Sequence, residues 1–284
     1  MRYDLSIYIP TFNRARELSQ LLAELSPQKQ SCLNYKVEIV VSDNCSTDGT
    51  QRIARKALEA GQIENYIRHE INRGPDTNIL ECMKSTSGEF VWLLCDDDLP
   101  KPQAIEQLCA ILSECRLNDI GLIYLNRSIE RMSGEILKDR VTVCSTGIET
   151  DRGRLVLTPG VDLLTGSTLV FRRSEQHGRY TERFGHGNLI APLTMALDAI
   201  DKSGAYLFST PLVRYREGDK SSWIDEWPAI WHERVPTVLN VFCQEHSIAR
   251  AFSVGQPWSI SRNFKNWLKR ARKKRADSKN SRAC

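Results

Sequence analysis

The chain has 284 residues, of which 41% are hydrophobic and 26% charged, a balance that suits a soluble globular fold with a full core. No apolar run approaches the roughly 18–20 residues that span a bilayer, and the N-terminus lacks a basic region leading into an apolar core, so the protein is expected to stay in the cytoplasm. The net charge of +4 is uneven: residues 262–282 hold ten basic side chains against one acid, which makes that segment +9 and leaves the remainder at −5.

Through residue 125 short apolar runs alternate with helical periodicity, the pattern of βαβ units and a mainly parallel sheet. Leu5–Ile9 reads as a strand, ended by Pro10. Leu18, Leu21, Leu22 and Leu25 then fall on one face of a helix that Thr11 or Asn13 can cap. Val37–Val41 is the second strand, and Ser46 or Thr47 can cap the helix carrying Ile53, Ala54, Ala57 and Leu58. Tyr66-Ile67 is a weak third strand, Ile79–Met83 a third helix entered at Asp76 or Thr77, and Phe90–Leu94 a buried strand. Pro102 suits the first turn of a helix through Ile105, Leu108, Ile111 and Leu112, and Ile120–Leu125 closes the series of strands. From Asn126 to Gly160 the pattern is polar and irregular, with a hairpin signal at Ser133-Gly134. A strand at Thr168–Arg172, a helix near Ile190–Ile200, a strand at Ala205–Phe208 and a helix over Ile224–Glu245 complete the reading. The nine cysteines include no Cys-x-x-Cys pair and no zinc-like Cys/His spacing, so they read as small buried hydrophobes in a reducing compartment.

In an open parallel sheet, ligands bind beyond the carboxyl ends of the strands, so the loops after the strands carry the chemistry. The first strand runs into Pro10-Thr11-Phe12-Asn13-Arg14. The second ends at Asp43 and a Ser-Thr-Asp-Gly-Thr turn, in which Asp48 suits a local cap. Asp43 is placed to accept an N–H from a base. The loop after the third strand, Asn72–Asn78, offers Arg73 to a phosphate or base. The sharpest signal is Asp96-Asp97-Asp98 at the tip of the buried Trp92-Leu93-Leu94 run. Three adjacent carboxylates repel one another unless a cation holds them together. A hard divalent ion, Mg²⁺ or Mn²⁺, takes oxygen ligands, usually one or two from protein with phosphate supplying more.

These loops, in this order and spacing, resemble those of the family 2 glycosyltransferases. Asn72–Asn78 and Thr165–Arg173 are also similar to the abequosyltransferase-type enzymes of bacterial O-antigen assembly, and that likeness extends to Pro211–Arg216. The resemblance implies the GT-A (Rossmann-like) fold, with a nucleotide-sugar-binding half over residues 1–125, an acceptor-binding half over 126–223, and a C-terminal helix and basic helical tail over 224–284. By position, Pro10, Thr11, Asn13 and Arg14 would line the nucleoside pocket, Asp43 would bind the base and Arg73 would flank it. The acidic cluster would be the Asp-x-Asp metal and ribose site. Many relatives carry Asp where this chain has Cys95, which makes Asp97 and Asp98 the essential pair; a literal Asp-x-Asp reading selects Asp96 and Asp98. Asp98 is the metal ligand on both readings. Such enzymes invert the anomeric centre and need a general base for the acceptor hydroxyl. The Glu-Asp pair that usually supplies it is missing before the Ile190–Ile200 helix, where His186 and then Glu182 are the candidates, with Asp198 farther along.

The expected activity is therefore sugar transfer from a nucleoside-diphosphate sugar to a glycan or lipid-linked saccharide. Phe264, Trp267 and Leu268 among the basic residues would let the tail meet an anionic membrane surface, and nucleic acid is not expected as a partner. The alternatives are a nucleotidyltransferase, which normally needs a Gly-rich loop absent from Pro10–Arg14, and a non-catalytic nucleotide-sugar-binding protein.

Overall fold

The alternation of side chains along each strand decides which of two cores it feeds. In β1 (Tyr3–Thr11), Leu5, Ile7 and Ile9 enter one core and Tyr8 the other. In β2 (Val37–Asp43), Val37, Ile39 and Val41 follow the first set and Val40 the second. Such strands, buried on both faces, belong in a parallel sheet covered by helices on each side. The computed structural model, which describes residues 3–174, 176–217 and 226–249, has this layered form.

On the first face lie α1 (Ala15–Ser31), whose Leu18, Leu21, Leu22 and Leu25 are all buried, and α2 (Thr50–Glu59), contributing Ala54 and Ala57. After β3 (Asn65–Arg68), α3 (Pro75–Leu80) and α4 (Cys82–Ser85) cover the opposite face and lead into β4 (Gly88–Leu93). The two-residue β5 (Leu99–Pro100) precedes α5 (Ala104–Ala110) and α6 (Leu112–Leu117), which return to the first face. The second half supplies β6 (Leu122–Arg131), β7 (Ile136–Lys138), β8 (Gly147–Glu149), α7 (Arg152–Leu157) and two 3₁₀ turns, Gly160–Leu164 and Gly166–Thr168. Then come β9 (Leu169–Arg172), α8 (Arg179–Phe184), α9 (Ala191–Lys202), β10 (Ala205–Glu217), and α10 (Trp227–Ala229), joined by a π-turn at Ile230–Arg234 to α11 (Val235–Glu245). Helices α9 and α11 fill the second core.

The strand order is β3-β2-β1-β4-β9-β6-β10-β5, with β7 on β6 and β8 on β10. Strands β3, β2, β1 and β4 are parallel; β9 runs antiparallel to both β4 and β6. The chain steps outward from β1 through β2 to β3, then returns to place β4 on the other side of β1. This reversal opens a crevice at the carboxyl ends of β1 and β4.

Several local expectations change. Pro10 does not end its strand, because β4 pairing stops at Tyr8↔Leu93 and pairing with β2 continues through Thr11↔Asp43, so the missing N–H is not needed. Segment 126–131 is not irregular: it prolongs β6 beside β10, whose own length exceeds the expected Ala205–Phe208 and reaches Glu217. The buried Asn126, Ser128 and Glu130 hide this strand from a hydropathy reading. The hairpin at Ser133-Gly134 is present between β6 and β7. Beyond β6 the sheet continues with β10 and β5. Helix α1 begins after Arg14 and α2 after Gly49, with no side-chain cap from Thr11, Asn13, Ser46 or Thr47. The helix after Pro102 starts only at Ala104 and breaks at Ile111. The 125/126 division falls inside β6. Residues 218–225, the first two positions of the expected final helix and the basic tail lie outside the described residues. Among those described, no helix is long and apolar enough to cross a membrane.

Candidate active site

At the β1/β4 reversal, side chains from the end of β1 and from the loop after β4 meet. Thr11, the last residue of β1, donates its hydroxyl to Asp96 Oδ2 at 2.6 Å. Three residues on, Arg14 Nη1 reaches Asp97 Oδ2 at 2.5 Å and Asp96 Oδ1 at 3.6 Å. Asn13 lies in the left-handed region (φ 53°), a conformation Asn tolerates, and its Oδ1 accepts the backbone N–H of Thr47 at 2.8 Å. Thus the loop Pro10–Arg14 clasps both the acidic loop and the turn after β2.

That turn is built on Asp43. Its Oδ1 accepts the N–H of Ser46 at 2.8 Å and its Oδ2 the hydroxyl of Tyr66 at 2.8 Å, with Arg68 Nε at 3.8 Å. The carboxylate is 0% exposed, so in this conformation it offers no free edge to a base. Asp48 caps the local turn as expected: Oδ1 accepts from Thr50 N and Oδ2 from Ala15 N. Burial alone would raise its carboxyl, but these hydrogen bonds together outweigh it and hold the group below the ordinary range. Next to it, Asn44 bridges to the third loop, donating to Asn72 Oδ1 and accepting from Arg73 N. The Arg73 guanidinium itself turns outward and pairs with Glu81.

In the acidic loop, Asp96 and Asp98 are buried and Asp97 is half-buried. Burial raises both Asp96 and Asp98 to about 7, and the charge of Asp97 adds to it. Arg14 and the Thr11 hydroxyl oppose the rise at Asp96; the Ser167 hydroxyl, the Arg216 N–H and Arg127 oppose it at Asp98. The loop is braced from β10 by Arg216, whose backbone N donates to Asp98 Oδ1 at 3.1 Å and whose Nε donates to the Asp97 carbonyl at 2.5 Å. Its Nη1 continues to Gln20 on α1 at 2.7 Å. Ser167 braces the other side, accepting from Cys95 N at 3.0 Å through Oγ and from the Trp92 indole at 2.9 Å through its carbonyl. One ligand atom each from Cys95, Asp97 and Asp98 lies within 4.8 Å of the others. This donor set can hold a divalent cation.

The structure brings Thr11, Arg14, Asp96 and Asp97 into direct contact, sets Asp98 beside Asp97, and links Asn13 and Asp43 to them through the turn. It does not join Glu182 or His186 to this group among the described residues. Both are exposed in the α8–α9 segment, and the His186 ring lies edge-on to His177 with centroids 6.5 Å apart. Asp198 caps α8 by accepting from Tyr180 N and Thr181 N. The N-terminus of α9 is filled by Asp76: its Oδ2 accepts from Leu189 N at 2.7 Å and its Oδ1 from Ala191 N at 3.2 Å. Asp76 thus caps α9 and not α3. Sequence reasoning missed Tyr66, Ser167 and Arg216 as partners of the site. Tyr66 had a signal, since the parallel register that sets it beside Val41 brings its hydroxyl to Asp43.

The sequence model of glycosyl transferase family 2 matches residues 6–175. Abequosyltransferase RfbV of Salmonella typhimurium is 36% identical over 97 residues, which cover 33% of this chain and 28% of that enzyme, so the likeness spans about a third of this chain and less of that enzyme. Among solved structures, S. aureus TarS 1–349 in complex with UDP-GlcNAc has a TM-score of 0.60 at 17% identity, covering 85% of this chain and 66% of that one. Mannosyltransferase PcManGT from Pyrobaculum calidifontis, in complex with GDP-Man and Mn²⁺, has a TM-score of 0.52 at 15% identity, covering 89% and 66%. The shared architecture is the GT-A fold. With well over half of its length matched by the family model and its acidic loop at the sheet reversal, the chain belongs to glycosyl transferase family 2.

Proposed function

We propose that this chain is an inverting glycosyltransferase that moves a sugar from a nucleoside-diphosphate sugar to a hydroxyl of a surface-glycan or lipid-linked saccharide. The observation that carries the reading is the Thr11–Asp96 hydrogen bond across the sheet reversal, with Asp97 and Asp98 beside it. The nucleoside end of the donor lies along Pro10–Arg14 and the turn held by Asp43. Asp43 acts on it by fixing that turn, and touches a base only if Tyr66 swings aside. Arg73, through its backbone bond to Asn44, supports the same wall. Asp96, next to Thr11, suits a ribose hydroxyl.

Asp97 and Asp98, with Cys95 at hand, would hold a divalent cation such as Mg²⁺ or Mn²⁺. When bound, that ion would supply positive charge to a leaving diphosphate. Arg14 sets a fixed cation beside the same carboxylates and so limits their repulsion. Deprotonation of the acceptor falls to the α8–α9 segment, with His186 as first candidate and Glu182 as second. The basic segment 262–282 would hold the enzyme at the inner face of an anionic membrane, where a lipid-linked acceptor lies.

The test is product release from UDP-, GDP-, CDP- and dTDP-sugars with a divalent ion and acceptor. Nucleoside diphosphate is expected. Pyrophosphate would move the reading to a nucleotidyltransferase, and donor binding without any transfer would leave a non-catalytic binding protein.

A further inference from the structure

Three consecutive carboxylates suggest a site made of oxygen alone, but the backbone turns them apart. Asp96 Oδ2 is committed to the Thr11 hydroxyl on the nucleoside side, while Arg14 pairs with Asp97 Oδ2 and leaves the rest of that carboxylate open. The atoms that gather instead are oxygens of Asp97 and Asp98 and the sulfur of Cys95, all within 4.8 Å of one another. Two ligand atoms on one ion, each at about 2.0–2.3 Å, stand at most about 4.6 Å apart, so the cluster is close to coordinating distance as it stands. Cys95 is fixed there, its N–H bonded to Ser167 Oγ at 3.0 Å. Gly166 leaves the sulfur its space, since a Cβ at that position would lie 3.2 Å from Sγ.

We propose that Cys95 is a ligand of the donor-site cation, giving a mixed oxygen–sulfur site that favours a thiophilic ion over Mg²⁺. This rests on the transferase reading, because the same ion faces the diphosphate. Mg²⁺ demands oxygen ligands in near-ideal octahedral geometry. A cysteine sulfur shifts preference toward ions that accept soft donors, with Mn²⁺ the least affected among hard ions and Co²⁺, Zn²⁺ and Cd²⁺ gaining most. On binding, the Cys95 S–H bond breaks, its proton goes to solvent, and the sulfur lone pair forms the bond to the ion; no electrons are exchanged.

The experiment uses the full chain and the metals alone. Co²⁺ titration is read by absorption, where a thiolate ligand gives a sulfur-to-cobalt charge-transfer band, and Cd²⁺ and Mg²⁺ affinities are read by calorimetry. The wild type is expected to show the band. Cys95→Ser should lose it and bind Cd²⁺ about tenfold or more weakly, with Mg²⁺ affinity little changed. Cys95→Asp should also lose the band but swing the preference toward Mg²⁺, which guards against a variant that merely unfolds. Equal Cd²⁺ affinity in wild type and Cys95→Ser, or a band that survives in both variants, overturns the Cys95 assignment and leaves the transferase reading intact. A wild type that binds no divalent ion, even with each nucleoside diphosphate added, overturns both.

Discussion

The tie between Asp76 and α9 gives a prediction whose size follows from the geometry. Asp76 is 4% exposed, and its two oxygens accept the N–H groups of Leu189 and Ala191, more than a hundred residues away in the chain. Asp76→Ala leaves those two amides without their acceptor at a buried helix start. Loss of the cap at one amide costs about 0.5–2 kcal/mol, and the second amide, left unpaired, adds roughly 1–3 kcal/mol. Against this stands the relief of removing a carboxyl that burial pushes above its ordinary pKa. The net expectation is a loss of about 2–3 kcal/mol, or roughly 4–10 °C in Tm for a chain of this size. Leu189 sits at φ 58°, a strained angle for Leu that the Asp76 bond holds in place, so its amide and that of Ala191 should also exchange hydrogen faster. Asp76→Asn keeps one acceptor and should lose about half as much. Urea denaturation and hydrogen exchange read both effects. An alanine variant within about 0.5 kcal/mol of wild type, or an asparagine variant as damaged as alanine, would refute the cap.

Two further predictions concern the donor side. Tyr66→Phe leaves Asp43 Oδ2 with only Arg68 at 3.8 Å, so denaturation should show a loss of about 1–2 kcal/mol together with weaker nucleotide-sugar binding; wild-type stability in that variant contradicts the placement of the hydroxyl. Because Asp96 and Asp98 are raised to about 7 in the folded state, their contribution to the stability of the metal-free protein is present in acid and is lost as pH rises from about 4 through about 7. In chelator the wild type should therefore lose more stability between pH 5 and 8 than an Asp96→Asn, Asp98→Asn double variant, and matching pH profiles would contradict this.

The sequence carried the first half of the fold well, because Leu5–Ile9, Val37–Val41 and Phe90–Leu94 are apolar on both faces and α1 shows four leucines on one face. The acidic loop was legible for the same reason: charge clustered at the tip of a buried strand has few explanations. The second half was harder to read. Asn126, Ser128 and Glu130 are buried polar residues that break the strand pattern of β6, and their partners come from distant parts of the chain, as when Asn126 bonds the carbonyls of Thr142 and Ser209. The cap of α9 was invisible because its acceptor, Asp76, comes from another helix. Local capping rules gave Thr11 and Asn13 to α1, whereas tertiary partners, Asp96 and Thr47, claimed them. The five cysteines at 32, 82, 109, 115 and 243 are buried, as the sequence reading expected, but Cys95 stands with the carboxylates.

The central claim is that Asp98 and its neighbours hold a cation against the donor diphosphate. The most direct measurement is calorimetric titration of the donor nucleotide-sugar with Mn²⁺ or with chelator, in the wild type and in Asp98→Asn, whose neutral amide keeps the shape of a buried carboxyl. Tight binding is expected only for the wild type with Mn²⁺, falling by about tenfold or more in chelator or in the variant while the melting transition is retained. Equal donor affinity in all of these conditions would contradict the account.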